Sequence, residues 1–258
     1  KLSAKPQTRE TIACAVPSPK AALDLLNVLR AQLGEVVSAF ELMSALGMSL
    51  ALKHFPDLRD PFDQSHEWYV LADISVPEGT KDKLEAALMA VNEAGLLVDA
   101  VLATSATQAA ALWRLRETAF EYNKLEKAIY SSDTSVPLGK IEAFVTKVQE
   151  ALAAWDPALR VNCYGHVGDG NIHVNTFAPE NGHGEFLLHH PNAASDIAAI
   201  IERTTVALGG SISAEHGIGR TKIESLQRYG DPTKLAMMQQ IKRALAPNGI
   251  LNPGDLFS

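Results

Sequence analysis

Apolar positions recur with two different periods along this chain. Four short runs rich in β-branched and aromatic residues read as strands: Thr11–Val16 (TIACAV), Val36–Leu42 (VVSAFEL), Trp68–Val76 (WYVLADISV) and Val98–Ala103 (VDAVLA). Between the first two, Leu23, Leu26, Leu29 and Leu33 fall at helical spacing over Pro19–Leu33, with Ser18 placed to cap the start and Gly34 to stop the end. Lys81–Ala94 is a second amphipathic helix, closed by Gly95. The order strand-helix-strand-strand-helix-strand is that of a ferredoxin-like split unit. It predicts an α+β fold, with an antiparallel sheet and helices on one face.

The second half is more helical. Thr107–Ile129 reads as one long helix carrying WRLRE (Trp113–Glu117), and Asp133–Pro137 (DTSVP) breaks it. Leu138–Trp155 follows with Pro137 at its entrance. Ala193–Leu208 ends at Gly209-Gly210, and Asp231–Leu245 makes the C-terminal segment helical. The polar stretch Asn181–Asn192 reads as a loop, and no repeat emerges at periods of about 20–50 residues.

Between these helices stands Cys163–Asn175, CYGHVGDGNIHVN. Asp169-Gly170 favours a two-residue hairpin turn. In that register His166 faces His173, Tyr164 faces Asn175, and Val167, Ile172 and Val174 point into a core. The two histidine Cβ atoms would then lie about 4.5–5.5 Å apart on one face. A rigid hairpin presenting two imidazoles suits a divalent metal; a hydrogen-bonded histidine pair in a half-buried sheet is the alternative. Cys163 falls on the other face. Glu215, in ISAEHGIG, is the best candidate for an anionic third ligand, and His216 beside it for a base; a solvated turn is the plainer account of both. His183, His189 and His190 fall in the polar excursion, and His54 and His66 flank a loop and are expected to be solvated. Arg220 and Lys222 read as a solvated helix start.

Composition narrows the classes. The chain has 258 residues, 47% hydrophobic and 21% charged, with a formal net charge of −7 and no block of Lys and Arg. That argues against a nucleic-acid partner. No apolar run approaches the roughly 20 residues that span a bilayer, and the opening KLSAKPQTRE has no apolar signal-like core. Cys14 and Cys163 give no disulfide framework, so a cytoplasmic setting is expected. Neither a G-x-G-x-x-G nor a G-x-x-x-x-G-K-[ST] motif occurs, so no self-sufficient nucleotide cradle is evident.

Taken together and in order, FELMS (Phe40–Ser44), WRLRE, DTSVP, GHVGDGNIH, Glu215-His216-Gly217-Ile218-Gly219 and NGILNPG resemble the FAD-linked 2-hydroxy-acid dehydrogenases of the vanillyl-alcohol-oxidase type. That group includes D-lactate and D-2-hydroxyglutarate dehydrogenases and the FAD subunit of glycolate oxidase. The resemblance implies that residues 1–258 are the substrate (cap) domain with its C-terminal segment, the N-terminal FAD-binding domain being absent from this chain. It implies metal ligands at His166, His173 and Glu215, a catalytic base at His216, substrate contacts at Arg116 and Asn175, and a flavin contact at Asn252. The cofactors would be FAD and a divalent ion, zinc foremost; the partners a small 2-hydroxy acid, the chain's own FAD-binding domain, an electron acceptor of unknown kind and a second copy in a homodimer. The fragment alone is expected to be inactive.

The sequence departs from that family at three places. Ser131 stands where several members of the family have Lys and Phe120 where the hydroxyglutarate enzyme has Thr, which favours a smaller or more apolar acid, and Asp255 replaces a Lys in NPGD. The ligand set alone also leaves open a free-standing metal hydrolase with His216 as base, or a structural metal module, which would need a fourth ligand.

Overall fold

The computed structural model describes residues 9–34, 36–75 and 81–257. The first eight residues and Val76, the expected end of the third strand, lie outside them. The chain opens with β1 (Glu10–Val16), α1 (Pro19–Leu33), β2 (Val37–Ser44), α2 (Ala45–His54), β3 (Trp68–Ile74), α3 (Lys81–Glu93) and β4 (Asp99–Leu102). Strand order β4-β1-β3-β2, antiparallel throughout, is the expected split unit. Its helix starts are set as the sequence implies: Ser18 Oγ accepts from Ala21 N at 3.1 Å with Pro19 behind it, and Ser44 caps α2 through Gly47 N.

The sheet then extends. After α4 (Ala106–Glu117), α5 (Ala119–Leu125), β5 (Tyr130–Ser131), β6 (Thr134–Ser135) and α6 (Ile141–Trp155) come β7 (Arg160–His166) and β8 (Asn171–Phe177). Strand β7 pairs with β2 and β8, so the described residues form one eight-stranded sheet. Then follow α7 (His183–His189), α8 (Ala193–Ala207), α9 (Ile223–Tyr229) and α10 (Pro232–Leu245).

The two sheet faces carry separate cores. Ile12, Cys14, Leu42, Val70, Cys163, Ile172 and Val174 pack with α1, α3, α6 and α8. Ala13, Met43, Tyr69, Leu71, Tyr164 and Phe177 pack with α2, α4 and α5. Helices on one face therefore holds for α1 and α3, while α2, α4 and α5 cover the other. This is why β3 is buried at every position: a strand sandwiched between two apolar layers loses its alternation. Both cysteines are fully buried, and burial pushes each thiol up to about 12. No described helix is long and apolar enough to cross a membrane.

Several local expectations change. The long helix at 107–129 is two, with Thr118 between α4 and α5. Asn181–Asn192 is not a loop but carries α7, anchored by His190, whose ring lies 4.8 Å from Trp155 and whose Nε2 is 3.0 Å from Asp156. His54 and His66 are not solvated: His54 Nε2 meets Glu126 at 2.7 Å, and the His66 ring packs between Phe62 and Tyr69.

Glu126 also accepts from Lys53 Nζ (2.8 Å) and Arg160 Nη2 (2.7 Å). Burial alone would raise its carboxyl, but these donors outweigh it and hold it down to about 2. A folded-state value below the unfolded one stabilises above the unfolded value and ceases to as pH falls through the folded one. Glu126→Gln is therefore expected to destabilise the chain at pH 7 by at most about 3 kcal/mol. The difference from the parent should shrink between about pH 4.5 and 2, as urea melts across that range would show.

Candidate metal and substrate site

The hairpin that carries the two histidines is not the expected one. Tyr164 pairs with His173, and Asn162 with Asn175, so the register is two residues off the two-residue-turn alignment. The chain instead makes a 3₁₀ turn over Val167–Asp169, closed by Gly170 at φ 78°. A Cβ on Gly170 would strike the Val136 carbonyl, so the turn is fitted to the β6 side of the structure. A slip of two preserves the face on which each side chain lies. His166 and His173 therefore stay together, their ring centroids 6.4 Å apart, while Val167, Ile172 and Val174 are buried as expected.

The true cross-strand partner of His166 is Glu41 on β2. Its Oε1 accepts a short hydrogen bond from His166 Nδ1, and its Oε2 accepts from Arg116 Nε at 2.9 Å. Burial would raise the Glu41 carboxyl, but these two donors hold it below the usual range, and the same bond raises His166. His173 is buried and donates from Nδ1 to the Ser132 carbonyl at 3.1 Å; its burial lowers its pKa and keeps the ring neutral.

Glu215 reaches the same place from the loop after α8. It accepts a short bond from Asn171 Nδ2, and its Oε1 lies 3.3 Å from His166 Nε2. One ligand atom each from His166, His173 and Glu215 lies within 4.8 Å of the others, the one such three-residue group among the described residues. The donor chemistry fits a divalent ion. Both Nδ1 atoms are committed as donors, so in its neutral form each ring turns an Nε2 lone pair inward. A lone pair facing a carboxylate at 3.3 Å needs a cation or a proton between them.

That loop is held by Asp133, a residue whose role the DTSVP segment did not reveal. Its Oδ2 accepts from the backbone N–H groups of Ala214 (3.1 Å), Glu215 (3.0 Å) and His216 (2.8 Å). Burial pushes the carboxyl up, but the backbone donors prevail and keep it below its usual value. Lys222 reinforces the base of the loop by donating to the Ile212 carbonyl at 2.7 Å; it is half-buried, and burial lowers its pKa. It is thus a loop clamp rather than a solvated helix start.

His216 stacks on His173, centroids 5.9 Å apart and planes 27° apart, with its side chain two-thirds exposed. Its Nδ1 is 3.9 Å from Asp133 Oδ2. Both rings open onto a cleft of about 600 Å³ that also takes in Arg116, Tyr164, Ser131 and Asn175. The Arg116 guanidinium lies 4.6 Å from the centre of the Tyr164 ring, tethered by Nε to Glu41. Asn175 Nδ2 donates to Tyr164 Oη at 3.0 Å.

The cleft thus unites six of the seven predicted residues, directly or through the ligand cluster. Asn252 is the exception. It lies in the C-terminal segment at φ 45°, its carbonyl accepting from Lys242 Nζ at 3.3 Å, and it lines neither cleft nor cluster. Nearby, Asp255 pairs with Arg220 at 2.7 Å, so the Lys-to-Asp change in NPGD is answered by an arginine. Phe120 stands at the cleft rim, two-thirds exposed, with Lys124 Nζ 3.9 Å above its ring, and Lys127 lines the same wall.

The chain is 36% identical over 231 residues to the mitochondrial D-2-hydroxyglutarate dehydrogenase of Arabidopsis thaliana, covering 89% of this chain and 39% of that one. It is 32% identical over 262 residues to the D-2-hydroxyglutarate dehydrogenase of Xanthomonas citri pv. viticola, covering 100% and 53%. The chain spans about half or less of the length of these relatives. In fold it is similar to p-cresol methylhydroxylase with substrate bound, at a TM-score of 0.64 and 12% identity, covering 97% of this chain and 53% of that one. Residues 5–256 match the family described as FAD linked oxidases, C-terminal domain. The chain belongs to that family.

Proposed function

We propose that this chain is the substrate- and metal-binding part of a flavin-dependent dehydrogenase that oxidises a D-2-hydroxy acid to a 2-keto acid. The observation that carries this is the convergence of a His-His-Glu cluster, an exposed histidine and a tethered arginine on one cleft. Arg116 keeps its two terminal nitrogens for a carboxylate, because Nε is already spent on Glu41. His166, His173 and Glu215 would hold a divalent ion, zinc foremost, which lowers the pKa of a 2-hydroxyl bound to it. His216, stacked on His173 at the cleft, would take the hydroxyl proton. A flavin, when bound, supplies the hydride acceptor for the hydrogen on C2. Asn175 lines the same cleft and orients the acid.

The flavin is assigned to a separate half of the protein. The matched family is a C-terminal domain, and the relatives are about twice as long. Helix α10 also exposes Met237, Ile241 and Leu245 at four-residue spacing, with Ile250 and Leu251 beyond, an apolar stripe suited to such a half. The nature of the acid's tail is set by the wall beyond Arg116. Phe120 lines the cleft at its exposed rim with Lys124 and Lys127 beside it, so this wall offers cations to a second anion, against the smaller or more apolar acid that Ser131 and Phe120 favour in the sequence. The hydrolase alternative leaves the tethered Arg116 without a task. The structural-module alternative lacks a fourth His, Cys, Asp or Glu ligand among the described residues, and the Asn175 amide is turned to Tyr164.

Two measurements test this proposal. Elemental analysis should find about one equivalent of divalent metal in the chain and none in His166→Ala. Joined to its flavin-binding half, the protein should have its flavin bleached anaerobically by D- but not L-2-hydroxy acids, in a panel that includes mono- and dicarboxylates. A flavin that no such acid reduces would defeat the proposal.

A further inference from the structure

We infer that Glu41 is a positioning residue that fixes the tautomer of His166 and the direction of the Arg116 fork at once, so that one buried carboxylate aligns the metal half and the carboxylate-binding half of the site. This rests on the metal and substrate assignments above. Glu41 sits on β2 directly across from His166 in the ladder, not in any segment that carries the proposed chemistry. Its side chain is 7% exposed, so water does not satisfy its oxygens. Each oxygen has one partner: Oε1 meets His166 Nδ1, and Oε2 meets Arg116 Nε at 2.9 Å.

A carboxylate brings no proton of its own, so both contacts require the partner to donate. Arginine always can. A neutral imidazole can do so only in the tautomer that carries hydrogen on Nδ1, which leaves the lone pair on Nε2. Nε2 is the atom that faces Glu215 at 3.3 Å. Glu41 thereby selects the ligating tautomer, as a carboxylate behind a metal-bound histidine does. On its other side it occupies the Nε edge of Arg116, while Tyr164 lies under the guanidinium at 4.6 Å. The plane and the free edge of the fork are both set. The two jobs are inseparable because the oxygens share one carbon.

Glu41→Gln tests this in a side chain of the same size. An amide has one acceptor and one donor end where two donors converge, so one contact must fail. With its NH₂ toward His166, the hydrogen moves to Nε2 and the ligating lone pair is lost. Zinc affinity of the purified protein, measured by competition with a chromophoric chelator, is expected to fall about 10- to 100-fold with unchanged circular dichroism. Nitrogen-15 NMR of the metal-free protein, at a pH where His166 is neutral, should show Nδ1–H in the parent and Nε2–H in Glu41→Gln. A folded Glu41→Gln with parental zinc affinity, parental tautomer and parental affinity for a 2-hydroxy acid would overturn the inference. So would an Nε2–H tautomer in the parent, which needs no variant to fold. If the parent binds no zinc, the metal assignment fails, and the tautomer alone decides the role of Glu41.

Discussion

His216→Ala is expected to slow flavin reduction by about 10²- to 10⁴-fold while leaving the metal in place. The two halves of that outcome come from different observations. The loss follows because His216 is the one imidazole lining the cleft outside the ligand cluster, its side chain two-thirds exposed and stacked on His173. The retention follows because His166, His173 and Glu215 are each fixed by partners other than the His216 ring: Glu41, the Ser132 carbonyl and Asn171. The stacked contact with His173 at 5.9 Å is a ring face, not a ligand bond. Elemental analysis beside single-turnover flavin bleaching reads both. A variant that reacts at the parental rate would show that another group takes the proton. One that loses its metal would show that base and ligand have been exchanged in the assignment.

Asp133→Ala should fail in a different manner, losing stability, metal and activity together. The Asp133 side chain is 2% exposed, and one of its oxygens gathers three consecutive backbone N–H groups from the Glu215-His216 loop. Removing it orphans those donors and releases the third ligand and the base at once. Hydrogen bonds to a charged group contribute about 1.5–3 kcal/mol each, and bonds sharing one acceptor do not add fully, so a total near 3 kcal/mol is expected. For a chain of this size that corresponds to a melting point lower by about 6–12 °C. Calorimetry and metal titration together distinguish the two residues: His216→Ala retains both stability and metal, and Asp133→Ala retains neither. An Asp133→Ala protein with parental Tm and metal affinity would remove the carboxylate from the site's architecture.

Much of the fold could be read from local pattern. Ser18, Gly34 and the leucines between them mark α1 because caps and helical period are local properties. The split unit followed because its four strands and two helices alternate cleanly. Helix α2 went unseen because ALGMSLALKH is apolar almost all round, as suits a helix against the second core, and offers no amphipathic signal. The hairpin register was missed by two residues because Asp-Gly signals a turn but not its length. That length is fixed here by contact with Val136, which no local pattern contains.

The candidate site divides the same way. His166, His173, Glu215 and His216 were visible as residue types in glycine-rich segments, and a slip of two could not move the histidines to opposite faces. Glu41 and Asp133 were not. Glu41 is 125 positions from His166, and Asp133 is 82 from Glu215. Each acts by burial beside its partner, and burial is a property of the folded sheet. The lysines beside Phe120 likewise reach the cleft only because α5 turns at Thr118.

The sealed cysteines have a practical consequence. Thiol reagents attack the thiolate, and two fully buried groups held near 12 offer almost none at neutral pH. The native chain is therefore chemically silent towards maleimides while folded. A single cysteine introduced at Leu188, 83% exposed on α7 and away from the cleft, would be the one fast-reacting thiol among the described residues. A fluorophore or spin label could be carried there without first removing Cys14 or Cys163. Both native thiols would become reactive only on unfolding, which makes them an internal alarm for damaged protein.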